Sequence, residues 1–323
     1  MRFVIFGAGA IGGALGARLC QGGFEVSLIA RGPHLDAIRR DGLTLVTPEQ
    51  RFVLALEATA DPAQIDWRGD EVVLLATKSQ DTLAALLALR DAAGSGTPVV
   101  CMQNGVDNER LALRVMKHVY GAAVMLPAAH LEPGVVLSYG ARLTGMLDLG
   151  RVPGSVDELC EQLCDALAAS GFEARALPDV MRAKHAKLLL NLGNAVEALF
   201  ADSEARAELS ELARAEGRAA LSAARIEFAD DAVTDVRGRW RRMGVAEIDG
   251  RPRVGSSTWQ SLARFTGTLE SDYLNGEIVM IGALHGVPTP VNQRLCELAA
   301  SAARDRLAPQ TLAAQDVLAA VAA

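Results

Sequence analysis

Phe3-Val4-Ile5-Phe6-Gly7-Ala8-Gly9-Ala10-Ile11-Gly12 decides how the first half of the chain folds. An unbroken apolar run without polar alternation suits a parallel strand covered on both faces. Glycines 7, 9 and 12 follow at once, and the small and apolar residues 11–20 then read as a helix. The order strand, glycine turn, helix is what gives a Gly-x-Gly-x-x-Gly pattern its meaning. Gly7 permits the tight turn, Gly9 lets backbone approach a pyrophosphate, and Gly12 lets helix and strand pack closely. The helix start offers free N–H groups and the positive end of its dipole to phosphate. Gly7, Ala8, Gly9, Ala10, Ile11 and Gly12 are therefore candidate dinucleotide-binding residues.

The next apolar run, 25–30, leads into Arg31-Gly32. Sites for NAD place Asp or Glu at this strand tip to hold the ribose 2′-hydroxyl. Here the tip lacks an acid, and the planar fork of Arg31 suits a 2′-phosphate. NADP(H) is favoured over NAD(H). Buried runs at 71–77 and 98–102 end in Thr77-Lys78-Ser79-Gln80-Asp81 and in Gln103-Asn104-Gly105. Ligands of doubly wound sheets collect beyond the carboxyl ends of strands, so Lys78 and Asn104 are candidate cofactor contacts. Asp81 reads as the cap of the helix that follows. Expected helices at 33–40, 81–89, 108–115 and 157–170 alternate with these strands and with further strands at 121–125, 135–137, 146–149 and 172–177. Residues 43–46 and 52–57 suit a hairpin or short extra strands. The alternation is that of a Rossmann-type doubly wound parallel α/β sheet.

From residue 179 the pattern turns helical, with helices expected at 179–199, 204–228, 231–243, 256–266, 269–285 and 290–306 and an alanine-rich tail at 311–323. A chain of 323 residues suits two domains. We place the break near Pro178: a dinucleotide-binding domain over 1–178 and an all-helical domain over 179–323. Lys187, Asn191 and Asn194 are spaced i, i+4, i+7, one face of the 179–199 helix. Leucines surround them, so their polar groups need partners or a ligand. From the residues alone Lys187 is equally a surface lysine, the asparagines equally satisfied core amides, and Ser257 a helix cap. The run Arg237, Arg239, Arg241 and Arg242, with Arg251 and Arg253, reads as a solvated helix face.

A net charge of −7 argues against nucleic acid as a partner. The apolar stretches are too short to span a bilayer. The five cysteines are odd in number and without framework spacing, so reduced thiols in a cytoplasmic protein are expected. The histidines show no metal-ligand spacing, and no metal site is expected.

The chain resembles the ketopantoate reductase (2-dehydropantoate 2-reductase) family over nearly its whole length. The resemblance rests on the glycine turn with Arg31, on Thr77-Lys78-Ser79, Gln103-Asn104-Gly105 and Glu132-Pro133-Gly134-Val135-Val136, and on Lys187-Leu188-Leu189-Leu190-Asn191. Ser256-Ser257, Glu270-Ser271-Asp272-Tyr273-Leu274-Asn275-Gly276 and His285-Gly286-Val287-Pro288-Thr289-Pro290 complete it. It implies NADPH-dependent reduction of a 2-oxo acid to a 2-hydroxy acid, with ketopantoate to pantoate the leading case. Lys187 matches the catalytic lysine and Glu270 the active-site glutamate. Asn104, Asn191, Asn194 and Ser257 match substrate-binding positions. A positioned ammonium can stabilise the charge that hydride delivery leaves on a ketone oxygen and then protonate it. A carboxylate such as Glu270 would offset the desolvation of that ammonium. Two alternatives stand: the same fold acting on another 2-oxo or hydroxy acid, and a non-catalytic NADPH-binding sensor that needs only the glycine turn and Arg31. A homodimer is expected by analogy.

Overall fold

All of strand β1 (Arg2–Phe6) is buried, and its side chains part by parity. Phe3 and Ile5 join one apolar layer with Leu15, Leu28 and Leu74, whereas Val4 and Phe6 join the opposite layer with Ile29, Val73 and Leu86. A strand needs a continuous apolar run only when both faces are covered, which is the case here. The computed structural model describes residues 1–230 and 235–322.

The remaining strands are β2 (Val26–Ile29), β3 (Leu43–Val46), β4 (Arg51–Leu54), β5 (Glu57–Thr59), β6 (Glu71–Leu75), β7 (Val99–Cys101), β8 (Val119–Met125), β9 (Ala128–Ala129), β10 (Val135–Ser138), β11 (Met146–Arg151) and β12 (Glu173–Ala176). The main sheet runs β5-β2-β1-β6-β7-β8-β11-β12. From β5 to β8 every pairing is parallel. Strand β11 turns antiparallel to β8, and β12 runs parallel to β11. The parallel part has the doubly wound order, in which the chain reverses direction of travel at β1 and leaves a crevice beyond its carboxyl end. The expected hairpin is β3–β4, but it belongs to a second sheet, β4-β3-β10-β9, and residue 57 begins a separate strand of the main sheet. Helices α1 (Ala10–Gln21), α2 (Gly32–Asp41), α3 (Thr82–Ala93), α4 (Asn108–Leu113) and α5 (Glu158–Ala169) supply the crossovers. All five cysteines are free thiols.

The other helices are α6 (Val180–Asn191), α7 (Gly193–Leu199), α8 (Glu204–Ala223), α9 (Val236–Met243), α10 (Ser257–Ala263), α11 (Ser271–His285), α12 (Pro290–Arg304) and α13 (Ala314–Ala322). The chain forms two units, but not by a single cut at 178. Met1–Gln103, Asn108–Ala183 and Asp230–Arg253 form the first; Asn104–Asp107, Lys184–Ala229 and Val254–Ala323 form the second.

The physical reason why 230–253 belongs to the first unit lies at the far edge of the sheet. Asp148 on β11 stands opposite Arg175 on β12, which donates to its carboxylate at 2.9 and 3.2 Å. Arg239 on α9 donates to the same carboxylate at 2.5 Å, and both side chains are almost fully buried. Backbone N–H groups of Ala141 and Arg142 donate to the Gly244 and Met243 carbonyls, and Val245 bridges Gly140. The arginine run is thus no uniform solvated face. Arg239 is a buried anchor, while Arg237, Arg241 and Arg242 are exposed. The first residues of the helix expected at 231–243 lie outside the described residues.

In the second unit the helix expected over 179–199 is two helices, broken at Leu192. The fully buried Asn275 of α11 donates to the Leu192 carbonyl at 3.1 Å and to Asn292 Oδ1 at 2.9 Å. Asn292 donates onward to the Ala213 carbonyl at 3.0 Å and to Glu216 at 2.7 Å. Glu216 also accepts the Val291 and Asn292 N–H groups, both at 2.9 Å. It therefore caps α12 from a neighbouring helix, where Thr289 provides no side-chain cap. Gly217 lets α8 approach closely: a Cβ there would lie 2.7 Å from Leu192 and 2.8 Å from Leu189.

Arg239→Ala should leave the buried Asp148 carboxylate short of one partner and cost about 3 kcal/mol of stability. Thermal unfolding of Asp148→Ala, Arg239→Ala and the double variant checks this. The double variant is expected to lose clearly less than the sum of the single losses.

Candidate functional site

The turn after β1 is shaped by absent side chains. Gly7 has φ +103°, and a Cβ on it would lie 2.8 Å from the Thr77 nitrogen. A Cβ on Gly12 would meet the Gly7 carbonyl oxygen at 2.1 Å and Ile5 at 2.8 Å. Around Gly9 nothing stands within 4 Å of such an atom, so that side of the turn is open. The Gly7 and Ala8 N–H groups are spent on the Ile29 carbonyl at 3.0 and 3.2 Å. Gly9 caps α1 with no side-chain bond, and the first turn of α1 has no acid. Its leading N–H groups thus face an open side, with no acid in that turn to repel an anion. This cradle fits a pyrophosphate.

His34 holds the turn from behind, a role that sequence spacing does not suggest. Gly134 N–H donates to its Nδ1 at 2.8 Å, so Nε2 bears the proton and donates to the Ala8 carbonyl at 2.7 Å. The ring packs on His130 with centroids 4.1 Å apart. One side chain therefore couples the glycine turn to the Glu132-Pro133-Gly134 loop.

At the strand tips Arg31 follows β2 and donates to Asp81 at 2.6 Å. Asp81 was expected to cap α3, yet it makes no side-chain cap bond there. Its carboxylate is turned to Arg31 instead. Lys78, half-buried, opens the single 3₁₀ turn Ser79–Asp81. Gln103, just before Asn104, donates to Thr77 at 3.2 Å and to Thr82 at 2.8 Å. Thr82 donates to Asn108 at 2.7 Å, and Asn108 to Ser79 at 3.3 Å. This buried mesh ties the loop after β6 to the loop after β7.

In the second unit Lys187 and Asn191 sit one turn apart on α6. Lys187 is half-buried; desolvation, aided by the like charge of Lys184, pushes its ammonium down to about 7. Asn191 is buried, and its Nδ2 has no hydrogen-bond partner among the described residues. Asn194 lies on α7, beyond Leu192, whose backbone keeps right-handed helical angles. Ser256, not Ser257, caps α10 by accepting from the Trp259 N–H. Ser256 also donates from its N–H to Glu197 at 2.8 Å and from its hydroxyl to the Asn194 carbonyl at 3.4 Å. Ser257 is left without capping duty. Glu270 is buried at the entry to α11. Among the described residues no group of three His, Cys, Asp or Glu could hold a metal ion, and no helix is long and apolar enough to cross a membrane.

Residues 3–153 match the family profile described as Ketopantoate reductase PanE/ApbA, and residues 179–303 match its C-terminal counterpart. The chain belongs to the ketopantoate reductase family. Among the relatives of this ketopantoate reductase family member, the 2-dehydropantoate 2-reductase of Archaeoglobus fulgidus is 33% identical over 92% of this chain and 96% of its own length. The crystal structure of a PanE/ApbA family ketopantoate reductase from Ralstonia eutropha JMP134 matches with a TM-score of 0.79 at 31% identity, covering 95% of this chain and 99% of that one. D-mandelate dehydrogenase, solved with NADH and anilino(oxo)acetate, shares the fold with a TM-score of 0.80 at 22% identity over 95% of this chain and 99% of its own.

His34→Ala removes two hydrogen bonds that shape the glycine turn, and should weaken dinucleotide binding about tenfold. Fluorescence titration with NADPH checks this; His118→Ala, away from the turn, serves as the control and should leave the affinity unchanged.

Proposed function

We propose that this chain reduces a 2-oxo acid to its 2-hydroxy acid with NADPH, with 2-dehydropantoate as the substrate. The observation that carries the proposal is the pair on α6: a desolvated lysine, and one turn away a buried asparagine whose amide N–H has no acceptor among the described residues. The asparagine N–H calls for an acceptor and the lysine can donate a proton; a 2-oxo acid brings a carbonyl and a carboxylate that suit both. The relatives named 2-dehydropantoate 2-reductase support the choice of acid.

In this reading the turn of Gly7, Ala8, Gly9, Ala10, Ile11 and Gly12 frames the pyrophosphate, with the leading N–H groups and dipole of α1 facing it, Arg31 pairs with the 2′-phosphate, and Lys78 and Asn104 contact the dinucleotide. Bound NADPH supplies the hydride. Asn191, Asn194, Ser257 and Asn104 hold the polar groups of the substrate and fix the face of the carbonyl that reacts. As the carbonyl oxygen gains charge, Lys187 Nζ donates a hydrogen bond to it and then the proton. Glu270 steadies the ammonium. The small-molecule acid is the partner besides the dinucleotide; the enzyme is placed in the cytoplasm and expected to act as a homodimer.

The sign of the pH dependence follows from the lowered lysine. A proton donor with a pKa near 7 is loaded below that pH and empty above it. Reduction, followed as kcat/KM, should therefore fall as pH rises through about 7, and oxidation of the hydroxy acid should rise. Lys187→Ala is expected to lower kcat by roughly a thousandfold and to leave the NADPH dissociation constant within about twofold. Equal loss of binding and turnover would contradict the role of proton donor. Tight NADPH binding by the unaltered chain, with no oxidation across a panel of 2-oxo acids, would favour a sensor.

A further inference from the structure

The ion pair between Arg31 and Asp81 bridges the carboxyl ends of β2 and β6, the two strands that flank β1. It closes over the end of the strand from which the glycine turn springs. The Arg31 side chain is 82% exposed and that of Asp81 33%, so the aspartate is the better buried and better fixed of the two. Asp81 opens α3 without capping it, so helix formation does not explain its orientation. What it does is occupy the guanidinium that the Proposed function assigns to a 2′-phosphate.

We infer that Asp81 is a specificity-determining residue: it reduces the margin by which the chain prefers NADPH to NADH. The inference rests on the reading of Arg31 as the phosphate partner. A guanidinium fork that forms a strong pair with one anion must release or share it to accept another. An exposed pair of this kind is weak, so a phosphate can displace the carboxylate, but it then lies within a few ångströms of a fixed negative charge. NADH carries no phosphate at this position. It meets no such repulsion, and its 2′-hydroxyl can donate to the Asp81 carboxylate as it would to the acid at the tip of β2 in NAD sites. One side chain thus penalises one dinucleotide and accommodates the other.

The test is binding, not turnover. Asp81→Asn removes the charge and keeps the shape. Dissociation constants of the unaltered chain, Asp81→Asn and Arg31→Ala are measured calorimetrically for NADPH, NADH and adenosine 2′-monophosphate, with circular dichroism reporting the fold. For Asp81→Asn, NADPH and adenosine 2′-monophosphate should bind about tenfold tighter, and NADH no tighter than before. For Arg31→Ala, NADPH and the monophosphate should weaken at least tenfold, and NADH little. If Arg31→Ala weakens NADPH but Asp81→Asn leaves it unchanged or weaker, Asp81 merely positions the arginine and the inference is overturned while the phosphate reading stands. If Arg31→Ala leaves NADPH affinity intact, the phosphate reading itself fails and the inference falls with it. Equal tightening of NADPH and NADH by Asp81→Asn also overturns it.

Discussion

Helix α1 must pass between two sheets at a separation that leaves no room for side chains at Gly12, Gly13 and Gly16. Toward the main sheet, a Cβ on Gly12 or Gly16 would come within 2.8 Å of Ile5 or 2.9 Å of Leu28; toward the small sheet, a Cβ on Gly13 would lie 2.7 Å from Val136. The helix touches β1 and β2 on one side and β3, β9 and β10 on the other. Close packing of this kind fixes where the helix begins, and the helix start is what presents N–H groups to an anion. Binding geometry at the glycine turn is therefore set by packing behind it, and His34 completes the support by tying Ala8 to Gly134.

The helical unit solves a different problem. Breaking α6 from α7 frees the Leu192 carbonyl in a buried place, which is costly unless a donor is supplied. Asn275 supplies it and is itself held by Asn292, whose other partners are Ala213 and Glu216. Every N–H of the two amide groups is directed to a stated acceptor. Among the described residues the buried Nδ2 of Asn191 meets no acceptor, and a bound acid oxygen would supply one.

Features encoded locally were legible before any coordinates. The parity of β1, the spacing of the glycines and the basic tip of β2 each lie within a few residues, and each has a physical reading that needs no distant partner. Features that depend on partners remote in sequence were not. Arg31 finds Asp81 50 residues away, Arg239 finds Asp148 91 residues away, and His34 finds Gly134 100 residues away. The break at Leu192 was hidden because the leucines continue helical periodicity through it, while the side chain that makes it tolerable lies 83 residues downstream. Ser257 was mistaken for a cap because two adjacent serines offer the same hydroxyl, and only the backbone decides which one turns to the Trp259 N–H.

The return of residues 230–253 to the first unit has a consequence for how the chain comes apart. A protease nick near residue 183 would not release two self-sufficient halves. The downstream piece would carry Arg239 away from the sheet edge and leave Asp148 with Arg175 as its remaining arginine partner. The two units are interlaced along the chain as well as linked by it.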